Sequence, residues 1–205
     1  MIKKYGLLEP EDAWILSAAL DVIKKYTERS LSILEIGFRG GETAQGIHEY
    51  LGEKAHTYYC IDNDRDIPTK LPFEGAISIK GDSIEVFEQV PDGLDLVIID
   101  GCHCVNHAAL DFLHYGKKVV PRGFVFFHDT TEPMQGKSYQ GHGPDTPPFG
   151  VAVRHALELV GPVLEAGWDL TFESTPPWRG ARLYQKRNRQ VLYVRRESDN
   201  STGKE

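Results

Sequence analysis

The sequence predicts a doubly wound α/β domain built on a mostly parallel sheet. Three observations carry that prediction. Short apolar runs recur along the chain, and most have a helical pattern behind them. Two of the runs, Leu96-Val97-Ile98-Ile99 and Phe124-Val125-Phe126-Phe127, are apolar without alternation, as in strands buried on both faces. Strand and helix alternate in order, which implies right-handed crossovers with helices on both faces of the sheet.

Pro10, followed by Glu11, Leu16, Ala19, Leu20 and Ile23, reads as an amphipathic helix ahead of the sheet. Residues 33–37, 57–62, 76–80, 94–100 and 123–128 read as strands, with helices over 43–51, 83–89 and 106–118. Gly116 and Pro121 are expected to end the third of these helices. After Asp62 the pattern weakens, because Pro68 and Pro72 leave little room for a helix. Residues 131–150 are rich in Gly and Pro and hold Lys137, Tyr139 and His142, so they read as a functional or mobile loop, a candidate lid. A helix over 151–160 follows, then strands over 168–173 and 181–186 joined through Trp178. Residues 1–195 are expected to form a single domain and 196–205 a flexible tail.

At 205 residues the chain has room for one full-sized core. The net charge of −7 disfavours a phosphate backbone as partner, so no nucleic acid is expected. Lys186, Arg187, Arg189, Arg195 and Arg196, interleaved with Tyr184 and Tyr193, read as solvated strand ends. No apolar run approaches the roughly 20 residues that cross a bilayer, so no membrane partner is expected. The three cysteines are odd in number, and Cys102 and Cys104 stand too close for a disulfide. A cytoplasmic location fits this usage, and a homodimer is compatible with it.

Ligands of doubly wound sheets bind beyond the carboxyl ends of the strands. That rule selects Gly37, Asp62, Asp82, Asp100 and Asp129. Aspartate is a poor strand residue, so its repetition there points to a site, although loops that open helices also favour it as a cap. In the first loop, Leu34 to Thr43, glycines let backbone approach a ligand, and the next helix offers free N–H groups. Arg39 stands where a dinucleotide fingerprint needs its second glycine, and Glu35 would repel a diphosphate. A carboxylate there suits a ligand with a cationic or hydroxyl-rich part.

Glu35-x-Gly37-x-x-x-Gly41 resembles the first motif of class I S-adenosylmethionine-dependent methyltransferases, whose glycines pack against the methionine part of the cofactor. Asp62 matches the acidic residue that binds the ribose hydroxyls in that family, and Gly81-Asp82-Ser83 the loop that borders adenine. Ile99-Asp100-Gly101-Cys102-His103, followed by Phe127-His128-Asp129-Thr130, is similar to the paired motifs of a bacterial subgroup with macrocin-type O-methyltransferases. The resemblance covers about residues 31–160. It implies a Rossmann-like sheet of seven strands with the last antiparallel, S-adenosylmethionine as cofactor, with Asp100 among the residues around it, and a small hydroxylated molecule as substrate. Cys102 and Cys104 depart from the subgroup, which usually has an acidic or polar residue and Ser there.

Asp100 and Asp129 end adjacent strands, so their carboxylates should lie close together. Such a pair needs a cation between its members or a proton on one of them. Oxygen ligands suit Mg2+ or Mn2+, which could bind a substrate hydroxyl and lower its pKa. The alternative is that one Asp caps a helix and the other is salt-bridged. His103, three residues past Asp100, is the candidate general base and His128 its rival. Cys102, His103, Cys104 and His107 could suggest zinc, but side chains one residue apart on an extended segment are expected on opposite sides. Two other readings remain open: a cofactor-binding protein without turnover, and a nucleotide-dependent oxidoreductase.

Overall fold

A computed structural model describes residues 2, 10–63, 73–131, 149–174 and 180–188. The loop expected over 131–150 lies almost wholly outside the described residues, as do the Trp178 connection, Arg189 and the tail expected over 196–205.

Helix α1 (Pro10–Tyr26) leads into β1 (Leu31–Ile36), α2 (Glu42–Leu51), β2 (His56–Asp62) and β3 (Ala76–Lys80). Next come the single turn α3 (Ser83–Val86), extended by a 3₁₀ turn, then β4 (Leu94–Ile99), α4 (Val105–Tyr115) and β5 (Val119–His128). Helices α5 (Phe149–Leu159) and α6 (Gly161–Gly167) precede β6 (Trp168–Glu173) and β7 (Ala181–Lys186). The seven strands form one sheet in the order β3-β2-β1-β4-β5-β7-β6. Strands β1 to β5 pair in parallel, and β7 runs antiparallel to both of its neighbours. This is the doubly wound, Rossmann-like sheet with the last strand antiparallel.

The unalternating apolar runs are buried on both faces, as their composition demands. Leu96, Ile98, Phe124 and Phe126 join Leu16, Leu20 and Ile47 on one side of the sheet. Val97, Ile99, Val125 and Phe127 meet Phe112, Tyr115 and Val153 on the other. Burying one such side chain stabilises the fold by about 1.5–3 kcal/mol, so β4 and β5 anchor both layers. That fixes where their carboxyl ends emerge.

Two elements differ from expectation. Strand β5 begins at Val119, so Pro121 lies inside a strand instead of ending a helix. The register against β4 jumps from Leu94↔Val119 to Leu96↔Phe124, and Arg122 takes a left-handed φ of 67°. This irregularity leaves Pro121, which has no N–H to give, out of the ladder. Helix α6 was hidden by its bounding glycines, although Pro162 near its start suits the first helical turn.

Candidate functional site

The carboxyl ends of β1, β2, β4 and β5 converge at one edge of the sheet, and their registers set which side chains meet. Gly37 ends β1 with a φ of 90°, and a Cβ there would stand 2.1 Å from the Asp100 carbonyl oxygen. Only glycine lets the first loop pass the end of β4 this closely. The loop is then drawn toward β2, where the Arg39 N–H donates to Asp62 Oδ2 at 2.7 Å. Gly41, with a φ of 80°, turns the chain into α2 over the Phe38 ring. Gly37, Gly41 and Asp62, each singled out from sequence, therefore form one connected turn.

Glu35 lies within β1, almost fully buried, and accepts a hydrogen bond from the Tyr58 hydroxyl at 3.0 Å. Burial pushes its pKa up to about 8; the Tyr58 bond pulls it back and nearby Asp100 pushes it further up. Burial thus shifts Glu35 toward its neutral form, and a positive charge placed beside it would favour ionisation. In the loop after β3, Asp82 Oδ1 caps α3 by accepting from the Ile84 N–H at 3.1 Å. The carbonyl of Ser83 accepts from the Tyr115 hydroxyl at 2.6 Å, which ties this loop to α4.

Past β4 and β5, Asp100, His103, His128 and Asp129 form a cluster whose ligand atoms all lie within 4.8 Å of one another. His103 Nε2 is 3.2 Å from Asp100 Oδ1 and 3.0 Å from Asp129 Oδ2. His128 Nδ1 is 2.9 Å from Asp100 Oδ1 and 3.4 Å from Asp129 Oδ2. The far nitrogen of His128 reaches Asp12 Oδ2 on α1 at 3.1 Å. Asp129 holds a left-handed φ of 52°, a conformation that costs energy and often marks functional sites.

The electrostatics follow from this interleaving. Burial alone would push His103 down, but bonds to Asp100 and Asp129 carry it up to about 9. His128 lies well above the usual histidine range: burial again opposes, and the Asp100 carboxylate prevails. Burial raises both aspartates, yet the two imidazoles hold each below its ordinary value. The close carboxylate pair expected from sequence is therefore present, and protonated imidazoles stand between its members.

Two carboxylates and two imidazoles are also a donor set that a divalent cation accepts. The two histidines differ in access. The side chain of His103 is 16% exposed and that of His128 only 5%, with both of its nitrogens bonded inside the protein. Asp12 escaped the sequence analysis because an acidic residue in a first helical turn has an ordinary explanation, the helix dipole.

The expectation for the cysteines is corrected. Cys102 Sγ and Cys104 Sγ lie 2.8 Å apart, and Cys104 Sγ is 3.0 Å from His107 Nδ1. The segment is not a continuing strand, because Cys104 is the N-cap of α4 and the chain turns there. That turn brings both sulfurs to one side. Both cysteines are free thiols.

Among the described residues, no helix is long and apolar enough to cross a membrane. A family model described as a methyltransferase domain matches residues 34–130. No curated protein matches the chain by sequence. Among solved structures, a Staphylococcus aureus protein described as a candidate caffeoyl-CoA O-methyltransferase superposes with a TM-score of 0.65 at 15% identity, over 88% of this chain and 85% of that one. MycE, a methyltransferase of the mycinamycin biosynthetic pathway held with Mg, SAH and mycinamycin VI, gives 0.61 at 15% identity. That alignment covers 92% of this chain but only 52% of MycE, so the chain spans about half its length. CalS11, a TDP-rhamnose 3'-O-methyltransferase of calicheamicin biosynthesis, gives 0.54 at 14% identity over 89% and 82% of the two chains. At such identities the likeness is one of fold.

Proposed function

We propose that the chain is an S-adenosylmethionine-dependent O-methyltransferase for a small hydroxylated molecule, a reading supported by the methyltransferase-domain model that matches residues 34–130 and by the fold shared with solved O-methyltransferases. The observation that carries the reading is His103 Nε2, held between Asp100 and Asp129 beside the Gly37 turn. On this reading Glu35, Gly37 and Gly41 receive the methionine part of the cofactor, Asp62 its ribose, and Asp82, Ser83 and Asp100 border the rest.

Methyl transfer from a sulfonium is an in-line displacement. The substrate oxygen must be positioned at the methyl group and must lose its proton. On this reading His103 is the base: Asp100 and Asp129 hold its ring at Nε2, and it takes the substrate proton only as the neutral imidazole, above the pKa of about 9 that those carboxylates impose. His128, bonded at both nitrogens, acts on the carboxylates rather than on substrate. Asp100 and Asp129 would also hold a Mg2+ or Mn2+ ion, which supplies charge that acidifies a bound hydroxyl. A cation held by Asp100 and Asp129 would also lower the proton affinity of the neighbouring His103 ring. The net charge of −7 favours a small molecule over nucleic acid as the partner.

The test is turnover of purified protein with methyl-labelled cofactor and a panel of sugars, catechols and phenols. The expected product is a labelled methyl ether, lost with excess chelator and restored by magnesium or manganese. Cofactor binding with no product from any hydroxylated compound would favour a binding protein without turnover. Full activity in chelator would remove the cation from the scheme.

A further inference from the structure

We propose that Cys102, Cys104 and His107 form a second cation site, separate from the Asp100–Asp129 cluster, that takes a thiophilic divalent ion such as zinc. The inference does not depend on the methyltransferase reading.

The two sulfurs and one ring nitrogen lie within 4.8 Å of one another. Two thiolates and an imidazole are soft and borderline donors, the set that zinc prefers and magnesium refuses. A tetrahedral zinc, with bonds of about 2.3 Å to sulfur and about 2.0 Å to nitrogen, holds two sulfurs roughly 3.8 Å apart and a sulfur and nitrogen roughly 3.5 Å apart. The atoms now stand at 2.8 and 3.0 Å. They must therefore open by roughly 1.0 and 0.5 Å around the ion. All three side chains are only partly buried, so small rotations about χ1 suffice.

Two further observations point to a cation. His107 Nε2 lies 3.3 Å from Asp82 Oδ2. When the ring donates there, the Nδ1 lone pair faces the sulfurs, which is the carboxylate–histidine relay that metal-ligating histidines use. One helical turn beyond His107, Asp111 is fully buried, and neither of its carboxylate oxygens has a hydrogen-bond partner. Burial pushes its pKa up to about 7, and the neighbouring Ser83 side chain pulls in the other direction, toward the charged form. A buried carboxylate behind two thiolates makes sense if positive charge sits beside them.

Three protein ligands leave a fourth position open to water or another ligand. A bound ion would pin the start of α4 to the Asp82 loop. It would thereby fix the segment from Gly101 to Cys104 that carries His103.

The experiment uses the full chain, reduced and freed of metal, without cofactor or substrate. Titration with Co2+ should give a thiolate-to-cobalt charge-transfer band that saturates at one equivalent. Cys102→Ser and Cys104→Ser should each abolish the band, and Asp129→Asn should leave it intact. Asp82→Asn should weaken zinc binding by about 10–100-fold, as expected for a lost outer-shell partner. In the unsubstituted protein, one equivalent of zinc should slow alkylation of Cys102 and Cys104, read by peptide mass spectrometry against buried Cys60. Cobalt bound without a thiolate band, or alkylation rates indifferent to zinc, overturns the proposal. So does a reduced protein that takes no cobalt while its oxidised form carries a Cys102–Cys104 disulfide, since the pair is then a redox couple.

Discussion

The His103 imidazole answers to two carboxylates at once, and its proton is the measurable consequence. Its pKa rises from 6.5 to about 9 in the folded chain. A raised histidine contributes stability that is fully present below its unfolded pKa and is lost as pH climbs through the folded one. The window is therefore pH 6.5 to about 9. At about 1.4 kcal/mol for each tenfold change in proton affinity, the effect is on the order of 3 kcal/mol, shared with the carboxylates that cause it. Urea unfolding in chelator should show stability falling across that window, and His103→Ala should flatten the fall. The aspartates act at the other end, because their lowered pKa values make stability drain away as pH drops below the ordinary carboxylate range. An unchanged slope in His103→Ala would mean that the ring does not hold its proton between Asp100 and Asp129. These residues were legible in sequence because aspartate at a strand end, repeated, is chemically conspicuous. Glu35 was legible as a position but not as a state, since its raised pKa comes from burial within the packed sheet, which the Tyr58 hydrogen bond only partly offsets.

Helix α1 and strand β5 share the core of Leu16, Leu20, Phe124 and Phe126 and are also tied by a buried pair, Asp12 Oδ2 and His128 Nε2. That contact spans 116 residues of sequence, which is why periodicity could not reveal it. Periodicity reported α1 correctly, through Leu16, Ala19, Leu20 and Ile23, all of which are buried. It failed at Val119 to Arg122, where a strand irregularity carries a proline, and at residues 102–104, where extended alternation gives way to a helix cap. Asp12→Ala should leave His128 short of one carboxylate in a buried site. Breaking a buried pair by deleting one partner costs about 3–5 kcal/mol, and Asp12→Asn, which still accepts a hydrogen bond, should cost less. Equilibrium unfolding reads both. If alanine and asparagine were equally mild, the pair would be a packing contact and not an anchor for the carboxyl end of β5.

The whole molecule gathers its candidate ligand groups from β1 to β5 and from the turns that follow them, so a ligand there should stabilise all of these elements together. The order of strands explains why this much could be read in advance: in a doubly wound sheet, chain order and hydrophobic runs already say which carboxyl ends share an edge. A ligand that binds only the folded chain adds about 2.7 kcal/mol when present at 100 times its Kd. For a chain of this size each kcal/mol raises the melting temperature by roughly 2–4 °C, so S-adenosylmethionine should raise it by about 5–10 °C. Asp62→Ala removes a charged hydrogen-bond acceptor and should weaken binding by about 1.5–3 kcal/mol. At the same cofactor concentration that leaves roughly 0.3–1.3 kcal/mol of ligand stabilisation, a shift of about 1–5 °C. The substitution also frees the Arg39 N–H, which can lower the unliganded melting temperature, so the readout is the difference with and without cofactor in each protein. NAD should give no comparable shift, because Arg39 stands where a dinucleotide fingerprint needs its second glycine for the diphosphate. No shift with S-adenosylmethionine, or an equal shift in Asp62→Ala, would remove Asp62 and the Gly37 turn from the cofactor site.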